Sequence, residues 1–220
     1  MMRATPESPR MFETDLFDFF SRTPPLMVPL LYLPGSLLPL IYGIRAGLVT
    51  WTASCLLFAL GFVAWTLTEY CLHRTVFHYQ HNSPLGERVH FLIHGVHHTW
   101  PRDKYRLVMP PAVSLSLYIL FGLFHRWILG PNWMWPYQGG FVAGYLFYDM
   151  THYATHHLRP ITAYGKRLRR HHLLHHFKNP NSRFGVSSPL WDWVFGTLHE
   201  SSPPATLKVT RTISTANVEN

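Results

Sequence analysis

Four stretches of this chain carry no Asp, Glu, Lys or Arg: residues 23–44, 46–68, 107–124 and 127–148. A helix needs about 20 mainly apolar residues to cross a bilayer, and each stretch approaches that length. The second is the clearest, with WTASCLLFALGFVAWTL at its centre, and PPAVSLSLYILFGLF makes the third nearly as good. The first contains Pro24, Pro25, Pro29, Pro34 and Pro39 and is expected to be kinked or re-entrant. The fourth opens on Pro131 and Pro136 and becomes convincingly helical only from about Gly140 to His156. The expected fold is all-α: an integral membrane bundle of about four transmembrane helices. Its domains are an N-terminal segment at 1–22, a membrane domain at 23–200 and a mobile, Ser- and Thr-rich tail at 201–220. Four buried helices of a soluble bundle are the competing reading. It fits poorly with only 14% charged residues, against about 25% in a soluble domain.

The charges that remain predict orientation. The first 22 residues are polar, mixed in charge and lack an apolar signal-peptide core, so the N-terminus is expected in the cytoplasm. Four crossings return the C-terminus to the same side. Of the 19 Lys and Arg residues, only Arg45 and Arg126 then face away from the cytoplasm, as the positive-inside rule requires. The net charge of +8 is explained by orientation and lipid headgroups. No nucleic-acid-binding signature is present, and no nucleic-acid partner is expected. Two cysteines, Cys55 and Cys71, are too few for a disulfide scaffold.

Sixteen histidines outnumber the eleven acidic residues, and all but His125 fall on the expected cytoplasmic side or in adjoining helix ends. Four clusters stand out: His73 with His78; His94 with His97 and His98; His152 with His156; and His172 with His175 and His176. Side chains three or four apart share a helix face, so three of the clusters present paired imidazoles. The first, five apart, is looser and can span a helix end. Neutral imidazole is a common ligand for Fe, Zn, Cu and Ni. One structural zinc needs four ligands, so ten histidines point to two ions. Octahedral coordination of a pair offers about twelve positions, leaving room for water or dioxygen.

The ordered strings LHRTVFH, HFLIHGVHH, RLVMPP, YDMTHYATHH, HHLLHHFKN and FGVSSPLWDWVFGTL resemble the fatty acid hydroxylase and sterol desaturase superfamily, in its fatty acid 2-hydroxylase branch. The resemblance runs from about Phe12 to Leu198. The spacing of His73 and His78 fits this branch, whereas the sterol branch is expected to carry HxxxH. The resemblance implies a dimetal centre, iron in the active enzyme, in a histidine-rich helical cap on the cytoplasmic face. It assigns metal ligation to His73, His78, His94, His97, His98, His152, His156, His172, His175 and His176. Imidazole sites also accept zinc, so zinc in purified material is compatible. The implied reaction is O2-dependent hydroxylation at C2 of a long fatty acyl chain, free or in a sphingolipid. Many relatives carry a haem-binding HPGG in a cytochrome b5 domain. This sequence has none, so electrons are expected from a separate donor, cytochrome b5-like or ferredoxin-like. The chemistry agrees: an alkyl C–H bond needs an activated-oxygen cofactor.

Other residues carry weaker expectations. Glu69, one turn before His73, and Asp149, three residues before His152, are candidates to accept a ring N–H and orient those histidines. His90, His157 and His171 stay outside the ligand set, and His81, His125 and His199 are expected at surfaces or interfaces. Lys166, Arg167, Arg169 and Arg170 suit anionic headgroups or an acidic donor, beside the plainer reading as positive-inside charge. The segment Arg102–Arg106 is a further headgroup candidate. Trp51, Trp100, Trp127, Trp133, Trp135, Trp191 and Trp193 suit an interfacial belt. Competing functions are a sterol or carotenoid oxidase, a metal transporter or sensor, and a haem-binding subunit. A transporter needs ligands near mid-membrane, where the second and third stretches have neither histidine nor acid. Axial haem ligation leaves most of the ten histidines unexplained.

Overall fold

The three-dimensional structure, a computed structural model, describes residues 8–79 and 82–199. The expected tail at 201–220 and His81 lie outside them. The described residues are helical, with no strand element: α1 (Asp15–Phe20), α2 (Met27–Arg45), α3 (Trp51–Leu72), α4 (Pro84–His90), α5 (Val96–Thr99), α6 (Pro111–His157), α7 (Ala163–Phe177) and α8 (Leu190–Val194). Two π-helical turns, His73–Phe77 after α3 and Phe91–Gly95 before α5, interrupt the series.

Three helices are long and apolar enough to cross a membrane: Met27–Arg45, Trp51–Phe77 and Pro111–His157. The last is a hairpin. Gly130 breaks it with φ 76° and ψ 177°, a conformation open essentially to glycine alone. Pro131 then starts the second arm, where a missing N–H costs nothing. The arms 111–129 and 131–157 fold back on each other. Phe121 packs on Phe141 with ring centroids 4.9 Å apart, and Gln138 Nε2 donates to the Tyr118 carbonyl at 3.2 Å. His125 is buried between the arms, its Nδ1 bonded to Gln138 Oε1 at 2.6 Å. The expectation of an ordinary surface or interface position for His125 is therefore corrected: Gln138 satisfies the ring inside the bundle.

Two segment boundaries also differ from the sequence reading. The third apolar stretch enters its helix at Pro111, not Leu107, because the Pro110–Pro111 pair stops regular structure before it. Leu107 and Val108 are buried in the loop and join the core instead. The first stretch enters its helix only at Met27, after Pro24 and Pro25, and that helix then runs to Arg45 through Pro34 and Pro39.

Small residues set how closely the helices approach. A Cβ on Gly140 would lie 1.8 Å from the Phe58 carbonyl oxygen, and one on Gly61 2.1 Å from that of Tyr137. Ser36 Oγ donates to the Gly139 carbonyl at 2.8 Å. Lipid is as apolar as leucine, so close backbone packing must supply much of the association energy. Around these contacts Val28, Tyr32, Trp65, Phe141, Val142 and Tyr145 form the core.

The bundle has two chemically distinct ends. Tyr42 packs on Trp135 at 4.7 Å, so Arg45 and Arg126 lie near the end made by the Gly130 turn. The ten clustered histidines occupy the other end, capped by α4, α5, α7 and α8. There residues 8–22 are tied down by charge. Asp18 pairs with Arg22 at 3.0 Å and with Arg106 at 3.1 Å, and Arg106 pairs with Asp103 at 3.1 Å.

The glycine contacts generate the first prediction. Gly140→Val forces α3 and α6 apart and should destabilise the protein by about 3 kcal/mol, the upper end of the usual cost of overpacking. Thermal unfolding of the detergent-solubilised protein, beside the exposed control Leu60→Val, measures this.

Candidate metal centre

The ten histidines named from the sequence converge, and they do so as two groups of five. His73, His78, His94, His98 and His175 form one; His97, His152, His156, His172 and His176 form the other, with the ligand atoms of each group within 4.8 Å of one another. Helical geometry explains the partition. Pairs four apart (94 and 98, 152 and 156, 172 and 176) stay in one group. Neighbours 97 and 98, and 175 and 176, point about 100° apart and divide between groups. Residues five apart on an α-helix would point about 140° apart. The π turn at His73–Phe77 widens the coil at this point and brings His73 and His78 to one centre.

Within each group the Nε2 atoms face one another. His73 Nε2 is 3.2 Å from His94 Nε2, which is 3.1 Å from His78 Nε2 and 2.9 Å from His98 Nε2. In the second group His97 lies 2.9 Å from His152 and 3.0 Å from His176, while His156 lies 2.8 Å from His172. The two groups abut, His98 and His176 stacking at 4.1 Å.

Two carboxylates control ring orientation in the first group through one loop. His73 Nδ1 donates to the Phe184 carbonyl and His175 Nδ1 to that of Ser182, at 2.5 and 2.7 Å. That leaves a lone pair on each Nε2, and His175 Nε2 is buried without a hydrogen-bond partner. Glu69 accepts the backbone N–H groups of Val186 and Ser187, both at 2.7 Å. Asp192 accepts those of Phe184 and Gly185, both at 2.8 Å, and bonds His171 Nε2 at 3.0 Å. Gly185 is required, because a Cβ would sit 2.1 Å from the Ser188 carbonyl oxygen. The sequence expectation for Glu69 is thus corrected: it orients His73 through the loop, not by touching the ring. Asp149 is corrected too. Its carboxylate accepts from the Tyr145 hydroxyl at 3.2 Å and from the Met109 backbone, because the loop before α6 lies closer to it than any imidazole N–H.

Asp192 was missed by sequence reasoning, although an acid set between Trp191 and Trp193 in an apolar string was the available signal. His90 and His171 stand outside both groups. His90 bonds the Phe77 carbonyl and His171 bonds Asp192, while the ring of His157 packs on Tyr153. Exposed His199, Cys55 and Cys71 take no part.

The donor set fits metal ions. Ligand nitrogens about 2.1 Å from a cation and at right angles to each other stand about 3 Å apart, as these do. Burial holds the rings neutral, the form that ligates. It lowers His78 and His98 to about 3 and His175 to about 4, with neighbouring histidines adding to the effect at His78 and His98. His94, His97 and His172 are pushed well below the ordinary value, first by burial and then by the histidines around each.

An apolar cavity of about 360 Å³ opens onto both groups, with His94, His97, His152 and Asp149 at its inner end. It falls within the range of small-ligand sites. A second, open depression of about 840 Å³ reaches His156 between Lys166, Arg169 and Arg170.

The depressed pKa values fix a pH dependence for the metal-free protein. Unfolded histidine titrates near about 6.5, so below that pH the unfolded chain binds protons that the folded chain refuses. The stability held above pH 6.5 should drain away as pH falls towards the folded values of about 3 to 4. Thermal midpoints of the metal-free protein are expected to stay level above about pH 6.5 and to fall progressively from there to about pH 5; a flat profile below about pH 6.5 would contradict the buried, neutral arrangement.

Comparison with known proteins gives the family. The family model for fatty acid hydroxylase matches residues 58–197. Dihydroceramide fatty acyl 2-hydroxylase FAH2 of Arabidopsis thaliana is 41% identical over 193 residues, covering 87% of this chain and 81% of the relative. Fatty acid 2-hydroxylase of Rattus norvegicus is 36% identical over 209 residues, covering 86% of this chain and 56% of that protein. A solved structure described as full-length scs7p with only the hydroxylase domain visible superposes with a TM-score of 0.82 at 35% identity, over 90% of this chain and 74% of that one. With three helices apolar enough to cross a membrane and hydroxylase sequence over most of its length, the chain is a membrane oxidoreductase that belongs to the fatty acid hydroxylase family.

Proposed function

We propose that this protein hydroxylates C2 of a long fatty acyl group, free or within a sphingolipid, with dioxygen and a pair of iron ions. The observation that carries the proposal is the convergence of ten neutral imidazoles into two adjoining groups at the inner end of an apolar cavity. The relatives named for dihydroceramide and fatty acid 2-hydroxylation supply the position of attack and the substrate class.

His73, His78, His94, His98 and His175 would hold one ion, and His97, His152, His156, His172 and His176 the other. When bound, iron supplies the activation of dioxygen that an unreactive C–H bond requires. One oxygen atom enters the C–H bond and the other leaves as water, with two electrons and two protons from a separate donor. The Ser182–Ser187 loop keeps Nε2 of His73 and His175 turned inward. The apolar cavity wall excludes water and receives the acyl chain. Asp149 is placed to accept a hydrogen bond from an amide or hydroxyl at the polar end of a sphingolipid. Lys166, Arg169 and Arg170, bordering the depression that reaches His156, offer a face to an acidic electron donor.

The orientation proposed is four crossings, with both termini and the histidine layer in the cytoplasm. The gathering of basic residues at the histidine end, opposite Arg45 and Arg126, supports it. Reporters fused to each terminus should both read cytoplasmic and one inserted beside Pro131 should not; termini on opposite sides would refute the count.

The catalytic proposal predicts one iron ion per histidine group by elemental analysis after anaerobic purification with ferrous iron. His94→Ala, His152→Ala and His175→Ala should each lower 2-hydroxy acyl product by at least about 100-fold with unchanged membrane insertion. His199→Ala, at an exposed position, should retain activity. Product is read by lipid mass spectrometry in a host lacking the activity, with a compatible electron donor supplied. Near-normal turnover in two of the three ligand variants would sink the proposed site.

A further inference from the structure

The segment before the first apolar helix forms a wall of the cavity. Met11, Phe12, Phe17 and Phe20 line it together with His94, His97 and His152. Phe17 and Phe20 are also 61% and 65% exposed, so they stand at a mouth and not deep in an interior. Leu16 and Phe19 beside them, and Leu26 and Leu30 at the start of α2, are exposed as well. Together they continue the apolar surface of a membrane-spanning helix out over α1. A short helix with such a face lies in the interfacial layer of a bilayer. The cavity mouth therefore opens among lipid chains.

The wall is fastened from behind. Asp18 bonds the Met11 backbone N–H at 2.8 Å while pairing with Arg22 and Arg106. Arg106 in turn donates to the Pro9 carbonyl at 2.6 Å, and the Thr23 N–H donates to the Tyr105 carbonyl at 2.7 Å. Charges buried this way hold a geometry tightly, since losing one partner strands the other. The aromatic side chains are thereby presented to the cavity from a fixed backbone.

We propose that residues 8–22 are the chain-length-selecting wall of the acyl pocket: Phe12, Phe17 and Phe20 contact the acyl chain well beyond the reacting carbon, and Asp18 positions them through Arg106. The proposal rests on the acyl hydroxylase reading above. The occupant is the hydrocarbon chain, because the wall is aromatic and aliphatic and the cavity runs without interruption to His94, His97 and His152. Of the residues lining the cavity, Met11, Phe12, Phe17 and Phe20 of this segment offer hydrocarbon surface, with Ser21 its one polar side chain among the described residues.

The test uses the full chain in membranes with acyl substrates of graded length. It compares wild type with the double variant Phe12→Ala, Phe17→Ala. Chains too short to reach the mouth should keep kcat/KM within about twofold, and longer chains should lose about tenfold, the scale of lost apolar contacts in a pocket. An equal loss at every length, or none at any length, overturns the proposal. A second measurement needs no turnover. An acyl lipid carrying a photoactivatable group at its chain end, added to the wild-type protein, should label residues 8–22; labelling confined to other segments overturns the proposal even where the double variant fails to accumulate. A wild-type protein that is labelled at 8–22 yet hydroxylates no acyl substrate refutes the activity and leaves the wall standing as a chain-binding surface.

Discussion

Everything in the cap answers one demand: imidazole nitrogens from four separate segments must face each other at about hydrogen-bond distance while neutral and buried. Lone pairs do not converge unaided. Backbone carbonyls must take the outer N–H groups of His73 and His175, and those carbonyls must be held in turn. Glu69 and Asp192 meet that need by gripping four consecutive backbone N–H groups, Phe184 to Ser187. Two buried carboxylates are costly unless fully hydrogen-bonded, and here both are committed to a loop. Positive φ at Arg183 and the absent Cβ at Gly185 are local consequences of the same tight turn.

The histidine groups were legible because helical periodicity is local. Pairs four residues apart share a face whatever the rest of the fold does, and the structure keeps each such pair together. What spacing does not carry is the long-range partner. Nothing local distinguishes His97 from His98, yet they serve different groups, because the choice depends on where α6 and α7 lie. The spacing of His73 and His78 is loose only on an α-helical coil; a π turn changes the phase. Glu69 and Asp149 have the spacing of partners to their own helix neighbours, while both bond loops distant in sequence or just outside the helix. The apolar stretches are visible as charge gaps, and their joining into a hairpin at Gly130 depends on a single glycine that composition alone does not single out.

The N-terminal segment shows the same limit from another direction. Residues 8–22 read as a mixed, polar leader to the first span. Their structural role depends on Asp18 meeting Arg106 across 88 positions, which no periodicity announces. Asp18 and Arg22 are turned inward while Phe17, Phe19 and Phe20 are exposed, and Arg10, Glu13 and Asp15 stay at the surface. Buried charge beside exposed phenylalanine suits the lipid medium proposed for the mouth.

The division of His97 from His98, and of His175 from His176, has a consequence for how such a protein can change. Adjacent residues on one coil are geared together. Inserting or deleting a single residue in either stretch would rotate the rest of that helix by about 100° and turn imidazoles of one group towards the other. Point substitutions can tune one half of the pair, but length changes strike both at once. The paired histidine groups are therefore indivisible to insertion and deletion, and variation must arise at their margins, in loops and in the leader, where the chain can lengthen without turning the gears.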